Sequence, residues 1–163
     1  MNGLGEIYQY LLGDPASAEV KYKEALVVAP GDYWSSVHLA MLYFDGQDYE
    51  KAGNVLSVAT GYYDQDALLH QLTGNVHLLQ DEFEKALDEY EFSIKAAPFN
   101  PAGYVGKALY FSAIGDKKDS LDELEKALEL GYREFDRIES LSVFQETVDS
   151  RKYRRLKKKF TKQ

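Results

Sequence analysis

The sequence predicts an all-α protein in which helical hairpins stack on one another as an α-solenoid. Three sets of residues recur every 34 positions: two sets of small residues that lie seven positions apart, and one set of larger residues between them. The sets are Ala18, Ala52, Ala86 and Ser120; Ala25, Ala59, Ser93 and Ala127; and Tyr22, Leu56, Tyr90 and Leu124. An internal period of this length is typical of stacked helical hairpins rather than of one globular core.

The spacing within each unit places these three positions on one face of a helix. Small side chains allow two helix backbones to approach closely, while the larger side chain fills the groove beside them. We therefore expect the second helix of every unit to pack tightly against its neighbours.

The second unit, about residues 33–66, shows the pattern most completely. Its first helix carries Leu39, Ala40 and Tyr43, a turn follows around Gly46, and the second helix begins shortly before Ala52. This arrangement resembles the tetratricopeptide repeat, whose first helix has Leu-Gly or Leu-Ala followed by Tyr and whose turn is Gly-Asp-Tyr-like. The resemblance covers about residues 4–131 and implies a right-handed solenoid of antiparallel helix pairs.

The first unit, about residues 1–32, departs from this pattern. Leu4, Gly5 and Tyr8 lie one residue too early relative to Gly13 and Ala18. We expect one extra residue in the first helix or in the turn after it. The sequence begins partway into this helix, so whether Met1 is the native start is left open.

The third and fourth units, about 67–100 and 101–131, follow the pattern. Pro98 ends the third unit because proline cannot continue a helix. Pro101 suits the first turn of the next helix, and Gly131 ends the fourth unit. Beyond Gly131 the recurrence of small residues stops.

Residues 132–163 are predicted to form a terminal cap, since the last unit of a repeat array has no neighbour to cover it. We expect a short helix over about 132–138 and a longer one from Ser142 to about Phe160. The prediction for the whole chain is a single domain over 1–163.

Composition narrows the class of protein. The 163 residues are 45% hydrophobic and 28% charged, which suits one folded unit, and there is no Cys to form disulfides, thiolate nucleophiles or cysteine metal sites. No run of 18 apolar residues is present, and residues 1–13 lack the basic start and apolar stretch of a signal peptide. We expect a cytoplasmic protein.

Charge is distributed unevenly. Residues 151–163 hold eight Lys or Arg and no acid, whereas residues 1–150 hold 11 basic and 27 acidic residues and so carry a net charge of −16. A basic end of this kind could contact nucleic acid or an anionic membrane. The alternative, which we favour, is a final helix whose solvated face balances the acidic body.

Motifs with a catalytic mechanism are missing from the sequence. It contains no GxxxxGK[ST], GxGxxG, GxSxG, SxxK or HExxH pattern. His70 and His77 share a helical face, but no third metal ligand stands at a recognisable spacing, so aromatic-like packing is the better interpretation. We expect a protein that is not an enzyme and has no cofactor and no metal site.

The resemblance implies that the first helices line a concave groove that binds peptides or proteins. Positions spaced by 3, 7 and 10 along these helices give nine candidate contact residues: Trp34, Val37, Met41, Phe44, Gln71, Asn75, Leu78, Val105 and Leu109. Burial between neighbouring repeats is an equal alternative for Trp34, Phe44 and Leu78, while Met41, Asn75 and Leu109 are the preferred exposed contacts. Because no lysine falls on this stripe, a clamp for a terminal carboxylate is not expected.

Two classes of function follow. The first is a non-catalytic scaffold or adaptor that holds a protein or peptide in the groove. The second is contact of the basic terminal helix with nucleic acid or anionic membrane, which the acidic body disfavours. A separate alternative is a structural spacer or recruiting domain within a larger protein. The oligomeric state is left open.

Overall fold

The computed structural model describes residues 5, 6, 8, 9 and 13–161, and this part of the chain contains helices and turns but no strand. In chain order the α-helices are α1 Pro15–Val28, α2 Tyr33–Asp45, α3 Tyr49–Tyr62, α4 Ala67–Leu79, α5 Phe83–Ala96, α6 Pro101–Ala113, α7 Lys117–Glu129, α8 Phe135–Ser140, α9 Gln145–Val148 and α10 Arg151–Phe160. A 3₁₀ turn, Ser142–Phe144, lies between α8 and α9.

From α1 to α7, every helix packs against the next one along the chain, and α4 also packs against α6. This pattern confirms the predicted α-solenoid: α2, α4 and α6 are the first helices of successive repeats, and α1, α3, α5 and α7 are the second helices. Since each contact is between near neighbours in sequence, the array is stabilised locally, repeat by repeat.

The recurring small and large residues form the packing core of the second helices. Ala18, Ala52, Ala59 and Ala86 are fully buried, as is Tyr90. The Tyr90 ring is surrounded by glycines of two first helices, because a Cβ atom placed on Gly74 or on Gly106 would lie 2.6 Å or 2.3 Å from its ring carbons. Close approach of helix backbones therefore depends on small residues on both sides of this ring.

The 34-residue period is also seen in the positions at which helices begin, and there it continues beyond the last of the recurring small residues. The second helices begin at Pro15, Tyr49, Phe83, Lys117 and Arg151, which are each 34 residues apart, and the first helices begin at Tyr33, Ala67, Pro101 and Phe135 with the same spacing. Most starts are capped by a side chain that accepts a hydrogen bond from the first turn, as Asp14, Asp48 and Asp116 do. Ser150 caps α10 in the same way.

The extra residue predicted in the first repeat lies between Tyr8 and Asp14. The backbone N–H of Asp14 donates to the Tyr8 carbonyl at 2.8 Å, six residues back, whereas Asp48 donates to Tyr43, five residues back, at 2.8 Å. Tyr8 and Gln9 have π-helical geometry. A π-bulge is the usual way in which a helix accommodates one inserted residue. Leu4 lies outside the described residues.

The carboxyl-terminal region differs from the prediction. The expected long helix from Ser142 to Phe160 is wrong, because the chain forms the 3₁₀ turn and α9 and then restarts at Arg151 after the Ser150 cap. The short helix covers Phe135–Ser140 rather than 132–138. The helices α8 and α10 begin where a fifth repeat would place them, so the cap follows the architecture of the repeats although it lacks their small residues.

Two apolar clusters hold the array together. The first joins residues of α1 to α4, with Leu39, Leu56 and Leu69 almost fully buried. The second joins α6 and α7 to the cap through residues that include Leu124 and Phe144. The cap is thus part of the folded core at the carboxyl end of the array.

Candidate functional site

The first helices of the second, third and fourth repeats carry the nine residues predicted to line a groove. On α2, two of them present large apolar surface to solvent: Trp34 is 53% exposed and Met41 is 40% exposed. The Trp34 ring is held by aromatic neighbours, with ring centroids 5.0 Å from Tyr33 and 5.9 Å from His38. An exposed tryptophan that is already oriented can bind an apolar partner at a low entropic cost.

The other two predicted residues of α2, Val37 and Phe44, are largely shielded from solvent. Val37 is only 2% exposed and belongs to the first apolar cluster. It is therefore withdrawn from the set of contact residues, because its side chain is used in packing the repeats. Phe44 is half-buried against the same cluster, with its ring 6.1 Å from that of Tyr49.

The middle of the surface is formed by α4 and carries amides. Gln71 and Asn75 are both half-buried. The Tyr90 hydroxyl donates to Asn75 Oδ1 at 2.9 Å, and burial raises the pKa of Tyr90, so this hydroxyl stays protonated and keeps its role as donor. The bond favours one orientation of the Asn75 side chain, because its amide oxygen is the acceptor.

Leu79, which the sequence analysis did not select, is the exposed apolar residue at the end of α4. It is 50% exposed, whereas Leu78 is half-buried. The signal was present in the sequence, because Leu79 lies four residues after Asn75 and so falls on the same helical face. The stripe of α4 therefore extends to Leu79 rather than ending at Leu78.

The carboxyl end of the surface meets the cap. Val105 is half-buried on α6, and Leu109 is half-buried and packs against the second apolar cluster. Leu109 is therefore less exposed than expected, because part of its side chain packs against this cluster. Ser112 Oγ donates to the Val143 carbonyl at 2.9 Å and lies 2.8 Å from Thr147 Oγ1, which fixes the cap to this end of α6.

The histidines pair with glutamates. His70 Nδ1 lies 2.6 Å from Glu89, and His77 Nδ1 lies 2.5 Å from Glu82. His38 Nε2 lies 3.1 Å from Glu6. Within the described part of the chain, no group of three or more metal-ligand side chains comes together.

His70 connects three parts of the third repeat. Its Nε2 lies 2.9 Å from the Asp64 carbonyl before α4, and its ring stacks on Phe92 of α5 at 5.2 Å. Burial by itself would lower the pKa of His70, but the hydrogen bonds to the Asp64 carbonyl and the Glu89 carboxylate outweigh it, and the pKa is raised. Both of these partners are acceptors, so the doubly protonated imidazolium satisfies both contacts.

A depression of about 350 Å³ lies elsewhere on the surface, between α3 and α4, where Thr60 and Thr73 are among its lining residues. Their hydroxyls donate to carbonyls of their own helices, at 3.0 Å to Leu56 and at 2.9 Å to Leu69. These hydroxyl protons are therefore already used within the helices. The surface around Trp34 and Met41, with its large exposed apolar side chains, is the better candidate for binding.

Over the residues that the structure describes, no helix is both long enough and apolar enough to cross a membrane.

Comparisons with known proteins agree with this architecture. A family model described as tetratricopeptide repeat matches residues 10–76. The crystal structure of MamA superposes with a TM-score of 0.74 at 18% identity, covering 97% of this chain and 92% of that chain. The structure of MamA from residue 41 to its end, from Desulfovibrio magneticus RS-1, gives a TM-score of 0.70 at 19% identity and covers 79% of this chain and 72% of that chain. Identities of this size show a shared fold alone, and no curated protein matches the sequence.

Proposed function

We propose that the chain, which a tetratricopeptide-repeat family model matches over residues 10–76, is a non-catalytic scaffold that holds a peptide or protein segment against its first helices. The observation that carries the proposal is the pair of exposed apolar side chains on α2, Trp34 and Met41. The half-buried amides of Gln71 and Asn75 lie on the next first helix, α4. A fold alone does not determine function, so the argument depends on this surface.

The surface suits a ligand with one large apolar anchor followed by a polar stretch of backbone. Burying such an anchor against Trp34 and Met41 would contribute about 1.5 to 3 kcal/mol. Gln71 and the Asn75 NH₂ group would then hydrogen-bond the ligand backbone, which sets its register. Because the cap is bonded to Ser112 at the end of α6, the bound segment would extend from α2 towards α6 and end there.

The test uses a random peptide library displayed against the whole chain, followed by affinity measurements on the selected peptides. The variant Met41→Glu with Gln71→Ala should weaken their binding about tenfold or more, because it places a charge at the apolar anchor and removes an amide donor. Gln71 is chosen rather than Asn75, since Asn75→Ala would also leave the Tyr90 hydroxyl without its acceptor and so disturb the fold.

The matched control is Val58→Glu with Asn54→Ala, which makes the same kinds of change at two exposed residues of the second helix α3, Val58 being 53% exposed. It should leave binding unchanged. If the groove variant keeps the affinity of the wild type while circular dichroism shows that it is folded, the first helices are not the binding site.

A cytoplasmic location belongs to this proposal as a prediction from the sequence. Fractionation of the native cell would test it. Recovery of the protein in a membrane or extracellular fraction would contradict it.

A further inference from the structure

The basic terminal helix α10 has one face buried in the cap. Tyr153, Leu156 and Phe160 are between 2% and 5% exposed and belong to the second apolar cluster. The apolar side of this amphipathic helix is therefore already packed and cannot insert into another apolar surface. Any further role of α10 depends on its charged side chains.

Three lysines on the flanks of α10 pair with acids of the body. Lys152 pairs with Asp122 and Lys159 with Glu125, both on α7, and Lys157 pairs with Glu139 of α8. The hydrogen bond from Lys152 lowers the pKa of Asp122, and the one from Lys157 lowers the pKa of Glu139. These lysines neutralise the neighbouring acids and serve to hold α10 in place.

The outer face of α10 carries four other cations: Arg151, Arg154, Arg155 and Lys158. All four are exposed, and their spacing of three, four and seven residues places them on one side of the helix. Arg154 donates to the Asp149 carbonyl at 2.8 Å. Within residues 13–161, none of the four forms an ion pair with an acidic side chain. We call these four residues the outer basic face.

We propose that the outer basic face binds a short acidic segment of a partner protein, at a site separate from the surface of the first helices. Three of its four residues are arginines, whose planar guanidinium groups bind carboxylates with two parallel hydrogen bonds. Three of the four lysines of the same helix form internal ion pairs instead. Because the arginines have no acidic partner of their own in the part of the chain that the structure describes, they favour a ligand that supplies carboxylates.

The size of the outer basic face argues for a short ligand. The ends of the outer basic face lie seven residues apart on the helix, which is about 10 Å. Acidic residues of α7 and α8 lie next to α10, and residues 1–150 as a whole carry a net charge of −16. A nucleic acid carries about one negative charge per 1.7 Å and would continue past these acids. A run of a few Glu or Asp residues confines its charge to the basic face.

Two further observations disfavour the other polyanions. The outer basic face contains no aromatic side chain on which a base could stack. A bilayer surface would gain only the electrostatic term, since Tyr153, Leu156 and Phe160 are buried in the cap.

The experiment measures binding of a fluorescent oligoglutamate peptide to the full chain by anisotropy at low salt. The variant Arg151→Glu with Arg155→Glu should weaken binding about tenfold or more, because two attractive charges become repulsive. The control, Lys51→Glu with Lys85→Glu, changes the net charge equally on α3 and α5 at lysines that are 57% and 63% exposed. It should change affinity less than about threefold, since its sites are remote from α10. Deletion of α10 is not used, because its buried residues belong to the core.

Several outcomes would overturn the proposal. One is peptide binding that is equal in the outer-face variant and the wild type. Another is tighter binding of a short DNA duplex or of phosphatidylserine vesicles through the same two arginines, which would assign the face to those ligands. A third is salt-sensitive self-association of the chain that the variant abolishes, which would assign it to a second copy. The groove variant Met41→Glu with Gln71→Ala should leave peptide binding intact, so failure of one proposal does not imply failure of the other.

Discussion

Replacing Gly106 by Ala should destabilise the protein although alanine is the better helix former. Gly106 lies within α6, and an added Cβ atom would be 2.3 Å and 2.4 Å from two ring carbons of Tyr90. Gly74 also approaches these two ring carbons, with an equivalent Cβ distance of 2.6 Å, so we expect the ring to have little room to shift. Steric overlap should therefore outweigh helix propensity.

The magnitude follows from two opposing contributions. Alanine in place of glycine within a helix stabilises by about 1 kcal/mol. Overpacking a rigid core costs about 1 to 3 kcal/mol, and a confined aromatic ring favours the upper end. We expect Gly106→Ala to lower the free energy of unfolding by about 2 kcal/mol, measured by urea denaturation followed by circular dichroism.

A double-mutant cycle isolates the cause. Tyr90→Leu places at this position the residue type that occurs at Leu56 and Leu124, and removes the ring that Gly106→Ala would strike. In that background Gly106→Ala should become neutral or stabilising. Gly61→Ala is the control, because no atom lies within 4 Å of its added Cβ. If Gly106→Ala costs the same with and without the Tyr90 ring, the packing argument is wrong.

Three further predictions concern packing, pH and the cap. Ala52→Leu at a fully buried site should cost about 1 to 3 kcal/mol in a thermal melt, whereas the exposed Ala96→Leu should cost little, and equal melting temperatures would contradict it. The pKa of His70 is higher in the folded protein than in the unfolded chain, where it is about 6.5. Protonated His70 therefore stabilises the fold fully below about pH 6.5, and this stabilisation is lost as the pH rises through the folded pKa. The stability difference between wild type and His70→Gln should therefore be larger at acidic than at alkaline pH, and a difference that grows with pH would refute this. Ser112→Ala should lower the free energy of unfolding by about 1 to 2 kcal/mol, because it leaves the buried Thr147 hydroxyl without its partner. It should also reduce the hydrogen-exchange protection of residues 142–148. The control Ser140→Ala removes an exposed hydrogen bond and should have little effect.

The repeats could be predicted from the sequence because their determinants are local. A small residue at Ala52 or Ala59 is needed wherever two helices approach closely, and this need recurs with every unit. The position of Tyr8, one residue too early relative to Gly13, likewise predicted the extra residue of the first repeat, since neighbouring residues set the register of the turn. The insertion shows in the backbone as a hydrogen bond from Asp14 to Tyr8 that spans six residues, one more than the bond from Asp48 to Tyr43.

The cap could not be predicted from the same signal, because its last helix is packed on one side only. Positions 154 and 158, which continue the sets of small and large residues, hold Arg and Lys and face solvent in α10, while Tyr153 and Leu156 are buried instead. A second signal was available. The capping residues Asp14, Asp48, Asp116 and Ser150 keep the spacing of the repeats through the end of the array.

The groove was predicted less well than the fold, since exposure on a first helix depends on the neighbouring repeat. Val37 and Met41 lie one turn apart on α2, yet only Met41 is exposed. Leu109 has suitable spacing, but it packs against the second apolar cluster. Contacts of this kind join residues that are distant in sequence, so the periodicity of a single helix does not determine them.

Tyr90 connects the packing of the repeats to the shape of the candidate binding surface. This residue lies on a second helix, α5, and its ring packs against glycines of two first helices. Its hydroxyl donates a hydrogen bond to Asn75. The orientation of that amide therefore depends on how closely the third and fourth repeats stack. A change that separates α4 from α6 would release the Tyr90 ring and with it the Asn75 side chain, so the same contacts that stabilise the array also organise the middle of the surface on which a ligand would lie.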